Sequence, residues 1–152
     1  ESFGDAQILA QAMDVTVSLD RCDAACILGD RHRIRQLLLI LADNAVKYNR
    51  PGGTIEYTLT ADRGFVVLEV GNTGMGVPAD KIPRVFDRFF RANEQTNPQV
   101  EGSGLGLSIA RWIVQSHQGT VDFESTFGSY TRVRVRFRAV QEEGEVLQPL
   151  PL

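Results

Sequence analysis

One stretch limits this chain more than any other: "RHRIRQLLLILADNAVKYN", residues 31–49. Apolar residues at 34, 37, 38, 41 and 45 recur at three- and four-residue steps, which places them on one stripe of a helix. Asp30, just ahead of it, can cap that helix by accepting from the free amides of the first turn. A helix with a single apolar stripe has to bury it against a second layer. The residues that follow supply one. "PGG" at 51–53 breaks the helix, and "TIEYTLTA" and "FVVLEV" then alternate apolar and polar residues as half-buried strands do. Residues 62–64 read as a three-residue turn between them. "TVDFES" and "YTRVRVRFR" form a second, closing hairpin. Between the hairpins, residues 105–117 read as a helix stopped by Gly119, and "DKIPRVFDRFFR" as a short helix and turn. Ahead of the long helix, residues 5–12 read as helical, with "VTVSL" and "ACIL" as short strands. Strands that come in pairs, rather than interleaved with helices, predict an α+β fold. We expect a two-layer α/β sandwich, a mixed, mostly antiparallel sheet packed against about three helices.

At 152 residues the chain fits one domain, residues 1–139, followed by a tail at 140–152 that reads as disordered. A net charge of −3 gives no general attraction to nucleic acid or anionic lipid. The run at 37–42 is far short of a membrane span, and no secretory signal is visible. Cys22 and Cys26 would need two further ligands to hold a metal, and the only histidines are His32 and His117. They read as reduced, buried thiols. His117 reads as serving the C-terminal end of the helix at 105–117, and His32 as a solvated helix residue. Arg132, Arg134, Arg136 and Arg138 share one strand face, which reads as a solvated face that discourages edge pairing rather than as a nucleic-acid surface. The chain begins without methionine and reads as a piece of something longer.

Three features carry chemistry. Asn44 sits deep in the long helix, where an amide is costly without a partner. Lys47 and Tyr48, three and four residues on, lie near the same helix face. Together they offer an oxygen ligand for magnesium, an ammonium for phosphate and a ring for a base. In "GNTGMGVP", Gly74 and Gly76 let the backbone approach a flat ligand, and the Asn72 amide can accept from an exocyclic amine. "VEGSGLGLSIARW" runs a glycine loop into a helix whose free amides, around residues 104–107, favour an anion. The polar stretch before it reads as a mobile lid.

In this order, "NAVKY", "NTGMGVP", "FDRFFR" and "GSGLGLS" resemble the N, G1, F and G2 boxes of the ATP-binding catalytic domain of bacterial sensor histidine kinases. The resemblance covers about residues 30 to 137. It implies Mg-ATP as the ligand, with Asn44 holding magnesium, Lys47 and Arg91 reaching phosphates, and Tyr48 packing by the adenine. Asn72 would hold the adenine amine, with Gly74, Gly76 and Val77 shaping the base pocket. Phe86, Phe89 and Phe90 would anchor the lid, and Gly102, Gly104, Leu105, Gly106 and Leu107 would wrap the phosphates. It further implies phosphoryl transfer to a histidine in a separate dimerisation domain, a response regulator downstream, and a cytoplasmic portion of a membrane-anchored kinase. The fragment would be monomeric and the full-length kinase a homodimer.

Two positions depart from the pattern. Asn72 stands where the family usually has aspartate; an amide keeps the acceptor, loses the charge and is free to flip, so weaker or less adenine-selective binding is expected. Ile40 stands where the hydrolytic relatives carry a glutamate; it can neither take a proton nor orient water, which argues against self-contained hydrolysis. A degenerate nucleotide-binding module and a serine kinase of the anti-sigma type are the alternatives.

Overall fold

The computed structural model describes residues 16–22, 27, 29–88, 90 and 106–140. The elements are β1 (Thr16–Cys22), α1 (Arg31–Lys47), β2 (Thr54–Asp62), β3 (Phe65–Thr73), a 3-10 turn (Ile82–Arg84), α2 (Gly106–Ser116), β4 (Thr120–Thr126) and β5 (Tyr130–Arg138). The helix expected at 5–12, all of "ACIL" but Ile27, the stretch at 91–105 and the tail at 141–152 lie outside the described residues.

Helix α1 starts where an aspartate can start it. The Asp30 carboxylate accepts from the amides of His32 at 2.9 Å and Arg33 at 3.2 Å. The bond from Arg33 is the main cause that holds its carboxyl below the usual range. From there the helix buries Ile34, Leu37, Leu38, Leu41, Ala42, Ala45 and Val46 along the stripe read from the sequence. Each fully buried aliphatic side chain of this kind contributes roughly 1.5–3 kcal/mol.

The sheet receiving this stripe has the order β1-β2-β3-β5-β4. β1 runs parallel to β2, and the other neighbours are antiparallel, as expected of a mixed, mostly antiparallel sheet. Alternate residues face the helices: Ile55, Tyr57 and Leu59 from β2, Val66, Leu68 and Val70 from β3, Val133, Val135 and Phe137 from β5. Helix α2 packs beside α1 and adds Ala110, Ile113 and Val114, each fully buried.

Three local readings are corrected. The first hairpin turns in two residues rather than three, because Asp62 pairs with Phe65. Arg63 and Gly64 take φ of 49° and 82°, the left-handed pair whose twist suits a two-residue hairpin. Strand β5 lies between β3 and β4, so its arginines guard no edge. Their face is balanced by acids: Arg134 meets Glu69 at 2.6 Å, and the register sets Asp122 and Glu124 opposite Arg134 and Arg132. Helix α2 does end near Gly119, yet the left-handed residue is Gln118, with φ of 55°. Gly119 sends its amide back to Val114 O at 2.9 Å. A Cβ there would stand 2.6 Å from Arg136 O.

His117 serves more than its own helix end. Its Nε2 accepts the Asp30 amide at 3.0 Å, so the ring proton belongs on Nδ1, which donates to Ile113 O at 2.8 Å. The end of α2 is thereby tied to the start of α1.

Candidate functional site

At the other end of the helix pair, the start of α2 meets the last turns of α1. A Cβ on Gly106 would lie 3.7 Å from both polar atoms of the Asn44 amide and 3.4 Å from Ile40 Cγ2. Asn44 is half-buried, and its side chain bonds to none of the described residues. Beside it are the opening amides of α2, which have no partner within their helix and sit at its positive end. An oxygen donor without a bond among the described residues, next to such amides, suits a hard cation and the anion it accompanies. Leu107, half-buried, packs on the core behind them.

One turn further along α1, Lys47 forms an ion pair with Asp43 at 2.9 Å, both side chains partly exposed. Tyr48 caps the helix, its amide returning to Asn44 O at 3.1 Å.

The glycine loop after β3 closes on this corner. Gly74 and Gly76 take φ of 147° and 66°, a region that favours glycine. Space demands glycine as well: a Cβ on Gly74 would strike Tyr48 O, and one on Gly76 would strike Thr126 O. Asn72 shares the helix-facing side of β3 with Val66, Leu68 and Val70 and is half-buried. Its Nδ2 donates to Thr73 O at 2.8 Å. Only the nitrogen can face a carbonyl, so the amide is oriented rather than free to flip, and Oδ1 is the atom left to receive a donor.

Val77, at the loop's end, is buried. Phe86 stands edge-on to Phe123 at 6.3 Å under the Arg111 guanidinium, and Phe90 lies under that of Arg84. The structure thus groups Asn44 with Gly106, and Tyr48 with Gly74, on adjacent turns of α1. Phe89, Arg91, Gly102, Gly104 and Leu105 lie outside the described residues.

Sequence reading missed the lock between α1 and the loop. Asn49 Nδ2 donates to Thr54 O at 2.9 Å, Thr73 Oγ1 donates to Asn49 Oδ1 at 2.7 Å, and the Thr54 amide donates to Thr73 Oγ1 at 2.8 Å. Asparagine two residues before "PGG" is a turn signal that could have pointed to Asn49. Thr73, 24 residues away, carried none.

Comparison with known proteins agrees with this arrangement. The sequence pattern described as "Histidine kinase-, DNA gyrase B-, and HSP90-like ATPase" matches residues 29–141. The chain belongs to this ATPase family. Among its relatives, Sensor histidine kinase YkoH of Bacillus subtilis (strain 168) is 38% identical over 124 residues, which is 82% of this chain and 27% of YkoH. Signal transduction histidine-protein kinase ArlS of Staphylococcus epidermidis is 36% identical over 108 residues, 71% of this chain and 24% of ArlS. The chain therefore spans about a quarter of the length of these curated relatives. A solved structure of the mycobacterial sensor histidine kinase MprB shares the fold with a TM-score of 0.78, at 24% identity, over 91% of this chain and 93% of that one. Among the described residues no helix is long and apolar enough to cross a membrane, and no cluster of three or more His, Cys, Asp or Glu could hold a metal. Cys26 lies outside them.

Proposed function

We propose that this domain binds Mg-ATP between the end of α1, the glycine loop and the start of α2, and donates the γ-phosphate to a histidine on a separate dimerisation domain of a sensor histidine kinase. The observation that carries it is the Asn44 amide, without a bonding partner among the described residues, set against Gly106 at the opening of α2. Asn44 Oδ1 would hold magnesium together with phosphate oxygens, and the metal would neutralise charge on the transferring group. The α2 amides, with Gly102, Gly104, Leu105, Gly106 and Leu107 around them, would wrap the phosphates. Lys47, exchanging Asp43 for a phosphate, and Arg91 would add positive charge. Tyr48, Asn72, Gly74, Gly76, Val77 and Phe89 would enclose the base, with Asn72 Oδ1 accepting from the exocyclic amine.

Ile40 supports transfer over hydrolysis. Its methyl packs at the start of α2, one turn before Asn44, and offers nothing that could take a proton from water. Such an arrangement keeps ATP intact until an acceptor side chain arrives, and positioning supplies most of the catalysis. In the full-length protein we place this domain in the cytoplasmic portion of a membrane-anchored homodimer that passes phosphate on to a response regulator.

Calorimetry with magnesium present tests the reading. Wild type should saturate with ATP at or below millimolar concentration, and Asn44→Ala should weaken binding at least tenfold. Mixed with its histidine-bearing domain and labelled ATP, the chain should produce an acid-labile phosphohistidine while releasing little free phosphate alone. Absence of any nucleotide binding by the wild type would overturn the proposal.

A further inference from the structure

The loop after Thr73 cannot hold itself in place. The side chains of Met75 and Val77 offer no strong hydrogen-bonding group, and Gly74 and Gly76 have no side chain. The β4–β5 hairpin holds it instead. The Gly74 amide donates to Ser129 O at 3.1 Å, and the Gly128 amide donates to Met75 O. The decisive bond is made by a side chain: the Val77 amide donates to Ser125 Oγ at 2.7 Å.

A hydroxyl has one proton and two lone pairs, and Ser125 uses all three. It donates to Tyr130 O at 2.9 Å, accepts from Val77, and stands 3.0 Å from Thr131 Oγ1, which can donate to its second lone pair. A saturated hydroxyl has one orientation, so the height of Val77 above the sheet is set by β4. The fit is close, since a Cβ on Gly76 would stand 2.9 Å from Ser125 Oγ. Two residues earlier on the same face of β4, Phe123 braces Phe86. One strand therefore supports both the glycine loop and Phe86.

We propose that Ser125 is a positioning residue for the nucleotide base: it touches no ligand, and through the Val77 amide it fixes the loop on which the base rests. The inference depends on the reading of Gly74, Gly76 and Val77 as the base wall given above. Because the clamp acts on that loop and not on Asn44 or the α2 amides, its loss should weaken what the base contributes and spare what the phosphates contribute.

The test uses the whole 152-residue chain. Mg-ATP, adenosine and Mg-tripolyphosphate are titrated against wild type, Ser125→Ala and Ser125→Thr. Ser125→Ala should weaken ATP and adenosine about tenfold, the effect of leaving the part-buried Val77 amide without its acceptor, with tripolyphosphate unchanged. Ser125→Thr keeps the hydroxyl and should bind as wild type. Exchange of the Val77 amide should quicken in the alanine variant alone. Unchanged adenosine affinity in Ser125→Ala overturns the inference, and so does an equal loss for tripolyphosphate, which would mean general loosening. Should Ser125→Ala fail to fold, Thr131→Val carries the same pattern at about threefold, and an unchanged adenosine affinity there overturns it too. Wild type that binds no Mg-ATP removes the proposed function first, whereas a binding wild type with an indifferent Ser125→Ala removes only this inference.

Discussion

At Asn72 a single atom decides what the proposed base pocket would offer. The bond from Nδ2 to Thr73 O commits the nitrogen and leaves Oδ1 as an acceptor, so the site should keep a preference for a base with an exocyclic amine in place of a carbonyl. Aspartate here could not make that bond, yet it would add a charge facing the amine, and charge-assisted bonds are the stronger kind. Asn72→Asp is therefore expected to tighten ATP several-fold and to widen the gap between ATP and GTP, read by parallel titrations of both nucleotides. Equal affinities in variant and wild type would remove Asn72 from base recognition. The orientation itself was not legible from sequence, because it depends on where the next carbonyl of β3 points. That the residue lies on the helix-facing side of the strand was legible, since it keeps the alternation of Val66, Leu68 and Val70.

Between elements, the two helices meet at both ends for different reasons. Near the site, Gly106 lies against Ile40 and the Asn44 amide. At the far end, His117 binds the Asp30 amide and Ile113 O, with its ring edge-on to Phe137 at 6.2 Å. His117→Ala would leave both backbone groups without the ring and remove the contact with Phe137. We expect a loss of about 1–3 kcal/mol, read as a lower urea midpoint with unchanged slope. A variant as stable as wild type would show that core packing alone aligns the helices. The sequence assigned His117 to the end of α2, where it is, but gave no sign that its partner stands 87 residues earlier. Helix α1 was easier to read: its stripe, its aspartate cap and its break are local features.

For the whole molecule, the two faces of the sheet do opposite work. The outer face is a ladder of arginines and acids, in which Arg134 meets Glu69 and the register sets Asp122 and Glu124 opposite Arg134 and Arg132. The inner face is apolar and includes Tyr57, whose hydroxyl burial pushes up to about 12 from an ordinary 10. Below about pH 10 the ring is neutral in both folded and unfolded chains and has no effect on pH dependence. Above that, the unfolded chain ionises first, so stability falls with rising pH until the folded value is passed. Between about pH 9 and about pH 11, wild type should lose roughly 1.4 kcal/mol more than Tyr57→Phe, measured as the difference in unfolding free energy. Parallel curves would mean that the hydroxyl reaches solvent.

Features that depend on near neighbours along the chain could be read directly from it: the stripe and cap of α1, the alternation of the paired strands, and the order of the four motifs that marks the family. Which of these features meet was settled by the folded core. It inserted β5 between β3 and β4, laid Gly106 on Asn44, and brought Ser125 under a loop 48 residues away. The physical reason is that periodicity and capping act within a few residues, whereas register across a sheet and contact between helix ends are settled by burial of the whole core at once.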